Sequence, residues 1–195
     1  MTELKSVCVF CGSSPGADPA YVEGARAFGR ALARENIRLV YGGGHIGMMG
    51  ELSQAVFEGG GKVLGIIPEF LVAREHAAEG KGELRIVRDM HERKSLMVME
   101  ADAFVALPGG VGTLEELVEQ LTWLQLNRHA KPILLANIKG YWNPLIALMQ
   151  HMFDQKFLYD GVRYYTVDRV EDIIPQLRAA VRKQGEAVKA VAHGM

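Results

Sequence analysis

The chain has 195 residues, enough for one domain with a sizeable hydrophobic core. It is 49% apolar and 23% charged with a formal net charge of −1 and no basic block, which argues against nucleic-acid binding by bulk electrostatics. No apolar run reaches the roughly 18 residues that a bilayer crossing needs. The opening MTELKSVCVF lacks the three-part layout of a secretory leader, so a soluble cytoplasmic chain without a membrane partner is expected.

Apolar, β-rich runs alternate with stretches of helical period. SVCVFCG reads as a first strand, and residues from Pro19 to about Glu35 place Tyr21, Ala25, Phe28 and Leu32 on one helical face. IRLVYGGG is a second strand ending in glycine, GMMGELSQAVFEGG a helix with a glycine stop, and KVLGIIP a third strand. EFLVAREHAAEGKGE is polar and weakly periodic, which predicts a loop or a short helix. LRIV predicts a fourth strand, MHERKSLMVMEA a helix, AFVALPGG a fifth strand and GTLEELVEQLTWLQLN a helix. KPILLAN predicts a sixth strand, NPLIALMQHMFDQ a helix and RYYTV a short last strand. VEDIIPQLRAAVRKQ predicts a last helix with Pro175 in or near its first turns, and the tail from about residue 184 reads as frayed. Strands of continuous apolar content alternating with helices predict a single α/β domain over residues 1–195. Its core is a Rossmann-like, doubly wound, mainly parallel sheet of about seven strands with helices on both faces.

In such sheets a ligand lies beyond the carboxyl ends of the strands, where the strand order reverses. Three strands end in glycine-bearing loops, at Gly12, at Gly42 to Gly44 and at Gly109 to Gly112, so all three should open toward one edge. GGGHIG contains G-x-G-x-x-G, but it follows the second strand, and the next strand ends GIIP with Glu69 only after it. The P-loop Lys-Ser/Thr is absent. What remains is a turn that demands positive φ, or one whose backbone approaches a ligand closely. In PGGVGT, Pro108 ends the strand, Gly109, Gly110 and Gly112 leave amides unshielded, and Thr113 stands at a helix start. A helix N-terminus offers unpaired N–H groups and a partial positive charge, hence a phosphate site.

Glu115 and Glu116 follow at once. They either complement the helix dipole, at about 0.3–1 kcal/mol each, or supply an ionised carboxylate that activates water or opposes a developing cation. A sugar phosphate satisfies both ends, with its anion on the amides and its carbon near the carboxylate. MHERK places Arg93 and Lys94 early in a helix, against the dipole preference, which points to an anionic partner or to a surface salt bridge. Cys8 and Cys11 lie in an apolar strand with no second Cys/His cluster, and read as buried structural thiols rather than a zinc or redox pair. His45, His76, His91 and His129 show no metal spacing and read mostly as surface residues, and MVME reads as core.

PGGVGTLEE and MHERK, with VFCGSS, VYGGGHIGMMG, GIIP and LTWLQL in the same order, resemble the LOG family, the cytokinin riboside 5′-monophosphate phosphoribohydrolases. The resemblance runs from Ser6 to about Leu177. The PGG loop alone is shared with a wider superfamily often labelled lysine decarboxylase, for which the chain offers no recognisable pyridoxal-phosphate lysine context. The resemblance implies hydrolysis of the N-glycosidic bond of a nucleoside 5′-monophosphate, such as AMP or an isopentenyladenine nucleotide, to free base and ribose 5-phosphate. It implies a homodimer, and the scheme needs neither metal nor cofactor. It implies Arg93 and Glu116 as the catalytic pair, Lys94 in the substrate site, and Glu75 and Thr122 as further substrate contacts. Gly110, Val111, Gly112, Thr113, Leu114 and Glu115 match the loop around phosphate and ribose. Gly109, with Gly12, Ser13, Gly43 and Gly44 of the other two loops, completes the expected binding set.

Arg93 is no conventional proton donor, since a guanidinium stays protonated under working conditions. Glu116 would activate water or stabilise an oxocarbenium-like carbon, with Glu75 the candidate to protonate the departing purine. Two other readings stay open: a molybdenum-cofactor carrier that uses similar glycine loops without hydrolysis, and a dinucleotide-dependent oxidoreductase. The apolar stretch LVEQLTWLQL fits a subunit interface or a packed core equally.

Overall fold

The computed structural model describes residues 3–73, 82–158 and 162–193, with 187–193 as backbone alone. The strands are β1 (Ser6–Phe10), β2 (Arg38–Tyr41), β3 (Val63–Pro68), β4 (Glu83–Val87), β5 (Ala103–Ala106), β6 (Ile133–Ala136) and β7 (Tyr165–Val167). They form one wholly parallel sheet in the order β4-β3-β2-β1-β5-β6-β7. The helices among the described residues are α1 (Pro19–Arg34), α2 (Gly47–Glu58), α3 (Met90–Glu100), α4 (Val111–Gln125), α5 (Asn143–Asp154) and α6 (Ile173–His193).

Alternation along the central strands splits the core in two. Val7, Val9 and Cys11 point to the face covered by α1, α2 and α6, and Cys8 and Phe10 to the face covered by α3, α4 and α5. β1 is buried at every residue because it has a strand on each side and helices on both faces. On α1 the Asp18 carboxylate accepts from Ala20 N at 2.8 Å, Pro19 takes the first helical position, and Ala25, Phe28 and Leu32 are buried as their spacing predicts. A Cβ at Gly29 would lie 2.5 Å from Leu52 O, so glycine there lets α1 approach α2 closely. On α3 the Asp89 carboxylate accepts from Glu92 N at 2.9 Å while Glu92 accepts from Arg88 N at 3.0 Å. This reciprocal cap fixes where α3 begins, and so which way Arg93 and Lys94 face.

Some sequence expectations need amendment and others hold. Within MVME only Met97 is deeply buried, whereas Met99 is exposed, because two steps along a helix turn a side chain to the other side. His129 is half-buried with its ring 5.3 Å from that of Phe104, and burial lowers its pKa. His76 lies outside the described residues. The polar stretch after β3 holds a short 3-10 turn at Glu69–Leu71, and residues 74–81 lie outside the description. The tail expected to fray keeps a helical backbone to His193, since Gly185 is a weak break among Ala, Glu and Lys. Cys8 and Cys11 are buried and form no disulfide. Three steps along extended chain separate them by about 10 Å, beyond the ~7 Å limit for bridging Cα atoms. Burial pushes the Cys8 thiol well above its ordinary pKa, so it is an inert core group.

The chain winds outward from β1 through β2 and β3 to β4, then crosses to β5 on the other side of β1 and continues to β6 and β7. The order therefore reverses between β1 and β5, and their carboxyl ends flank the expected crevice. No helix among the described residues is long and apolar enough to cross a membrane.

Candidate active site

The in-register pairs Val9↔Val105 and Phe10↔Ala106 bring the loops after β1 and β5 out level with each other. β2 is the other neighbour of β1, so its loop opens at the same edge. The main chain ties the loops together: Gly12 N donates to Pro108 O at 3.1 Å, and Met49 N at the start of α2 donates to Gly12 O at 3.3 Å. A cavity of about 320 Å3 lies between them. Gly12, Ser13, Gly42, Gly110, Val111, Gly112, Thr113 and Glu115 line it together with Arg93 and Glu116.

α4 starts at this cavity with Gly110 as its N-cap and no side-chain cap. The first amides of the helix are therefore not satisfied by a capping side chain. The two neighbouring glycines serve different ends. A Cβ at Gly109 would overlap Thr113 Oγ1 and lie 2.8 Å from Gly12 N, so packing demands glycine there. A Cβ at Gly110 or Gly112 meets nothing within 4 Å. Protein packing does not require glycine at those two positions, and its effect is to leave the cavity clear above the amides.

Arg93 reaches in from α3 and Glu116 from α4. Arg93 Nη2 stands 3.2 Å from Glu116 Oε1, with both side chains at least nine-tenths buried. Arg93 Nη1 lies 3.7 Å from Met90 Sδ, and Arg93 Nε is buried without a hydrogen-bond partner among the described residues. Gly42 makes room for this guanidinium, since a Cβ there would run into Nη2. That explains one glycine of the GGG run by a side chain far along the sequence.

Lys94, one residue on, faces elsewhere. Its Nζ pairs with Glu115 Oε1 at 2.7 Å and Glu119 Oε1 at 2.9 Å, and it does not line the cavity. Burial acts to lower the Lys94 pKa, but the hydrogen bonds and charges of the two carboxylates outweigh it and the net shift is upward. The ammonium therefore stays charged and steadies Glu115 at the cavity wall.

The other expected residues divide as follows. Gly43 and Gly44 are buried but do not line the cavity, because the left-handed turn at Gly43 (φ 79°) carries the chain off toward α2. Gly109 shapes the loop from behind. Leu114 and Thr122 are exposed on the outer side of α4, where Thr122 Oγ1 donates to Val118 O at 2.8 Å. Glu75 lies outside the described residues. Gly42 of the second glycine loop also lines the cavity, as do Val9, Cys11, Met49, Leu71 and Met90, which the expected binding set does not include. Of these, Met90 was the most accessible to reasoning, since it sits one turn before Arg93 on the capped start of α3.

Residues 49–177 match the family described as "Possible lysine decarboxylase". One cytokinin riboside 5′-monophosphate phosphoribohydrolase of Arabidopsis thaliana is 44% identical over 94% of this chain and 90% of its own. A second from the same plant is 47% identical over 90% of this chain and 82% of its own. Among solved structures, the molybdenum cofactor carrier protein of Chlamydomonas reinhardtii superposes with a TM-score of 0.72 over 92% of this chain and 99% of its own. Its 17% identity makes that a likeness of fold alone. Identity above two-fifths across more than four-fifths of both partners goes well beyond a shared fold, and the chain belongs to the cytokinin riboside 5′-monophosphate phosphoribohydrolase (LOG) family.

Proposed function

We propose that this protein is a hydrolase that cleaves the N-glycosidic bond of cytokinin riboside 5′-monophosphates or AMP, releasing the free base and ribose 5-phosphate. The observation that carries this reading is the meeting of uncapped α4 amides and the Arg93–Glu116 pair in one cavity. From Gly112 to Glu116 the helix advances about 6 Å, which is the scale of the separation between the phosphorus and C1′ of a nucleoside 5′-monophosphate. The phosphate takes the amides of Gly110 to Thr113, and C1′ comes to lie by the Glu116 carboxylate. As the C1′–N9 bond breaks, its electron pair leaves with the purine and C1′ turns cationic. Glu116 stabilises that charge and accepts a proton from the attacking water as its oxygen bonds to C1′, while the departing purine takes up a proton from solvent, so that one water is consumed in all. Arg93 balances the buried carboxylate and fixes its direction. Met49, Leu71 and Met90 give the cavity its apolar side, suited to a purine face.

The test is a substrate panel in which AMP and isopentenyl-AMP are compared with their nucleosides and free base is measured by chromatography. Two charge-assisted contacts to phosphate predict nucleosides poorer by about 10²-fold or more in kcat/KM. Equal turnover of nucleosides and nucleotides would refute the anchor. Binding of nucleotide without base release would favour a carrier over an enzyme.

The same reading includes a cytoplasmic homodimer. The outer face of α4 carries exposed Val111, Leu114 and Val118 at spacings of three and four, with Leu126 just beyond the helix and Thr122 in the same stripe. Two copies packed antiparallel about the midpoint of Leu114 and Val118 would set Thr122 of one beside Val111 at the cavity mouth of the other. That would bring Thr122 to a substrate, the contact that the family resemblance implies for it, across the subunit boundary. Sedimentation should return twice the 21.5 kDa chain mass for the wild type and the single mass for Val118→Glu, with activity lost in the variant. A wild type that sediments as a single chain overturns the dimer. Both cysteines being reduced thiols fits a cytoplasmic setting, which cell fractionation checks.

A further inference from the structure

We infer that Tyr141 is a positioning residue for the anion-binding loop, acting on the substrate's 5′-phosphate without touching it. The inference rests on the reading above that the loop holds a phosphate. Tyr141 does not line the cavity. Its hydroxyl donates to Gly109 O, within the PGG loop. The neighbouring Trp142 donates from Nε1 to Ala106 O at 3.1 Å, and Gly12 N donates to Pro108 O at 3.1 Å. The carbonyls of Ala106, Pro108 and Gly109 are thus each held by a donor from outside the loop.

The consequence follows from the planar trans peptide. The carbonyl of Gly109 and the N–H of Gly110 belong to one rigid unit and point in opposite directions. Tying the carbonyl to Tyr141 therefore sets the direction of the Gly110 N–H, and Gly110 lines the cavity. Glycines give a backbone little preference of its own, so an external tether is what selects one orientation.

The tether is itself held firmly. Asn137 is buried, and its Oδ1 accepts from Trp142 N at 2.8 Å. Its Nδ2 donates to Asn143 Oδ1 at 2.9 Å and Asp168 Oδ1 at 3.0 Å. This locks the turn that carries both aromatic residues. The Tyr141 ring meets Tyr21 edge-on at 5.5 Å and Trp142 at 5.0 Å. Tyr21 in turn packs over Gly16 of the β1–α1 loop, where a Cβ would lie 2.8 Å from its ring. One aromatic cluster therefore spans both glycine loops and fixes the gap between them. Glu116 is held separately, by Arg93 and by the packing of α4 through Leu117 and Leu121.

The test is Tyr141→Phe, which removes the hydroxyl and keeps the ring contacts. KM for AMP should rise about five- to tenfold with kcat changed by no more than about twofold. The melting temperature should fall by no more than about 5 °C. Calorimetry should show ribose 5-phosphate weakened by the same factor as AMP and adenine unaffected. An unchanged KM, an equal weakening of adenine, or a fall in kcat that tracks a fall in melting temperature overturns the inference. Calorimetry with the two products, ribose 5-phosphate and adenine, does not depend on turnover. A wild type that binds AMP through its phosphate without cleaving it sinks the hydrolase reading and leaves the tether to be judged by the same binding ratios. A wild type that binds AMP no better than adenosine sinks both.

Discussion

Glu116→Gln should lower turnover of AMP by about 10²-fold or more while nucleotide affinity changes little. The substitution keeps the volume of the side chain, and its amide oxygen can still accept from Arg93, so the shape of the cavity survives. What is lost is the carboxylate's negative charge and its capacity to take a proton from water. Both matter only as C1′ becomes cationic, so the change falls on kcat and leaves binding largely intact. Single-turnover rates and calorimetric affinities on the same preparation separate the two effects. Near-normal turnover would remove Glu116 from the chemistry, and a collapse of affinity with unchanged single-turnover rate would recast it as a binding group.

Arg93→Ala should act on the fold as well as the reaction. The pair is at least nine-tenths buried at 3.2 Å, so deleting the cation strips a buried carboxylate of the Arg93 countercharge. Breaking a buried pair in this way costs about 3–5 kcal/mol, toward the low end here because the cavity admits water. For a chain of this size that corresponds to a melting point lower by roughly 6–20 °C. Turnover should fall by about 10²-fold or more, since Glu116 loses its orientation along with its counterion. Combining Arg93→Ala with Glu116→Gln removes the stranded charge, so the double variant should melt above Arg93→Ala and remain inactive. Stability equal to wild type in Arg93→Ala would show that the pair does not behave as a buried one, and full activity would end its catalytic role.

The sheet was legible because buried parallel strands carry no polar alternation: VCVF, LVY and FVAL are apolar throughout, and glycine follows each of them. The starts of α1 and α3 were legible from their helical stretches, and the Asp18 and Asp89 caps that fix them emerge from the structure. The convergence of three glycine loops followed from parallel strands alone. What was not legible depends on contacts distant in sequence. Gly42 leaves room for a guanidinium 51 positions later, and no local pattern carries that information. The two glycines of PGG look alike in sequence, yet one packs against Thr113 and the other faces open space. Helical geometry could have flagged Thr122, which stands about 240° around the axis from Glu116 and cannot share its face. Lys94, about 100° from Arg93, was read toward an anionic substrate or a salt bridge, and two carboxylates of its own chain hold it.

The reversal of strand order beside β1 also governs how the protein must be made. β1 bonds to β2 on one side and to β5 on the other, with Val7 opposite Ala103. More than half the chain must leave the ribosome before that second partner exists. Until then one side of this buried strand is an unprotected border, its N–H and C=O groups open to any passing strand. At ordinary translation speeds this lasts on the order of ten seconds. The nascent chain's greatest exposure to aggregation therefore falls within that interval, and the arrival of Ala103–Ala106 closes it.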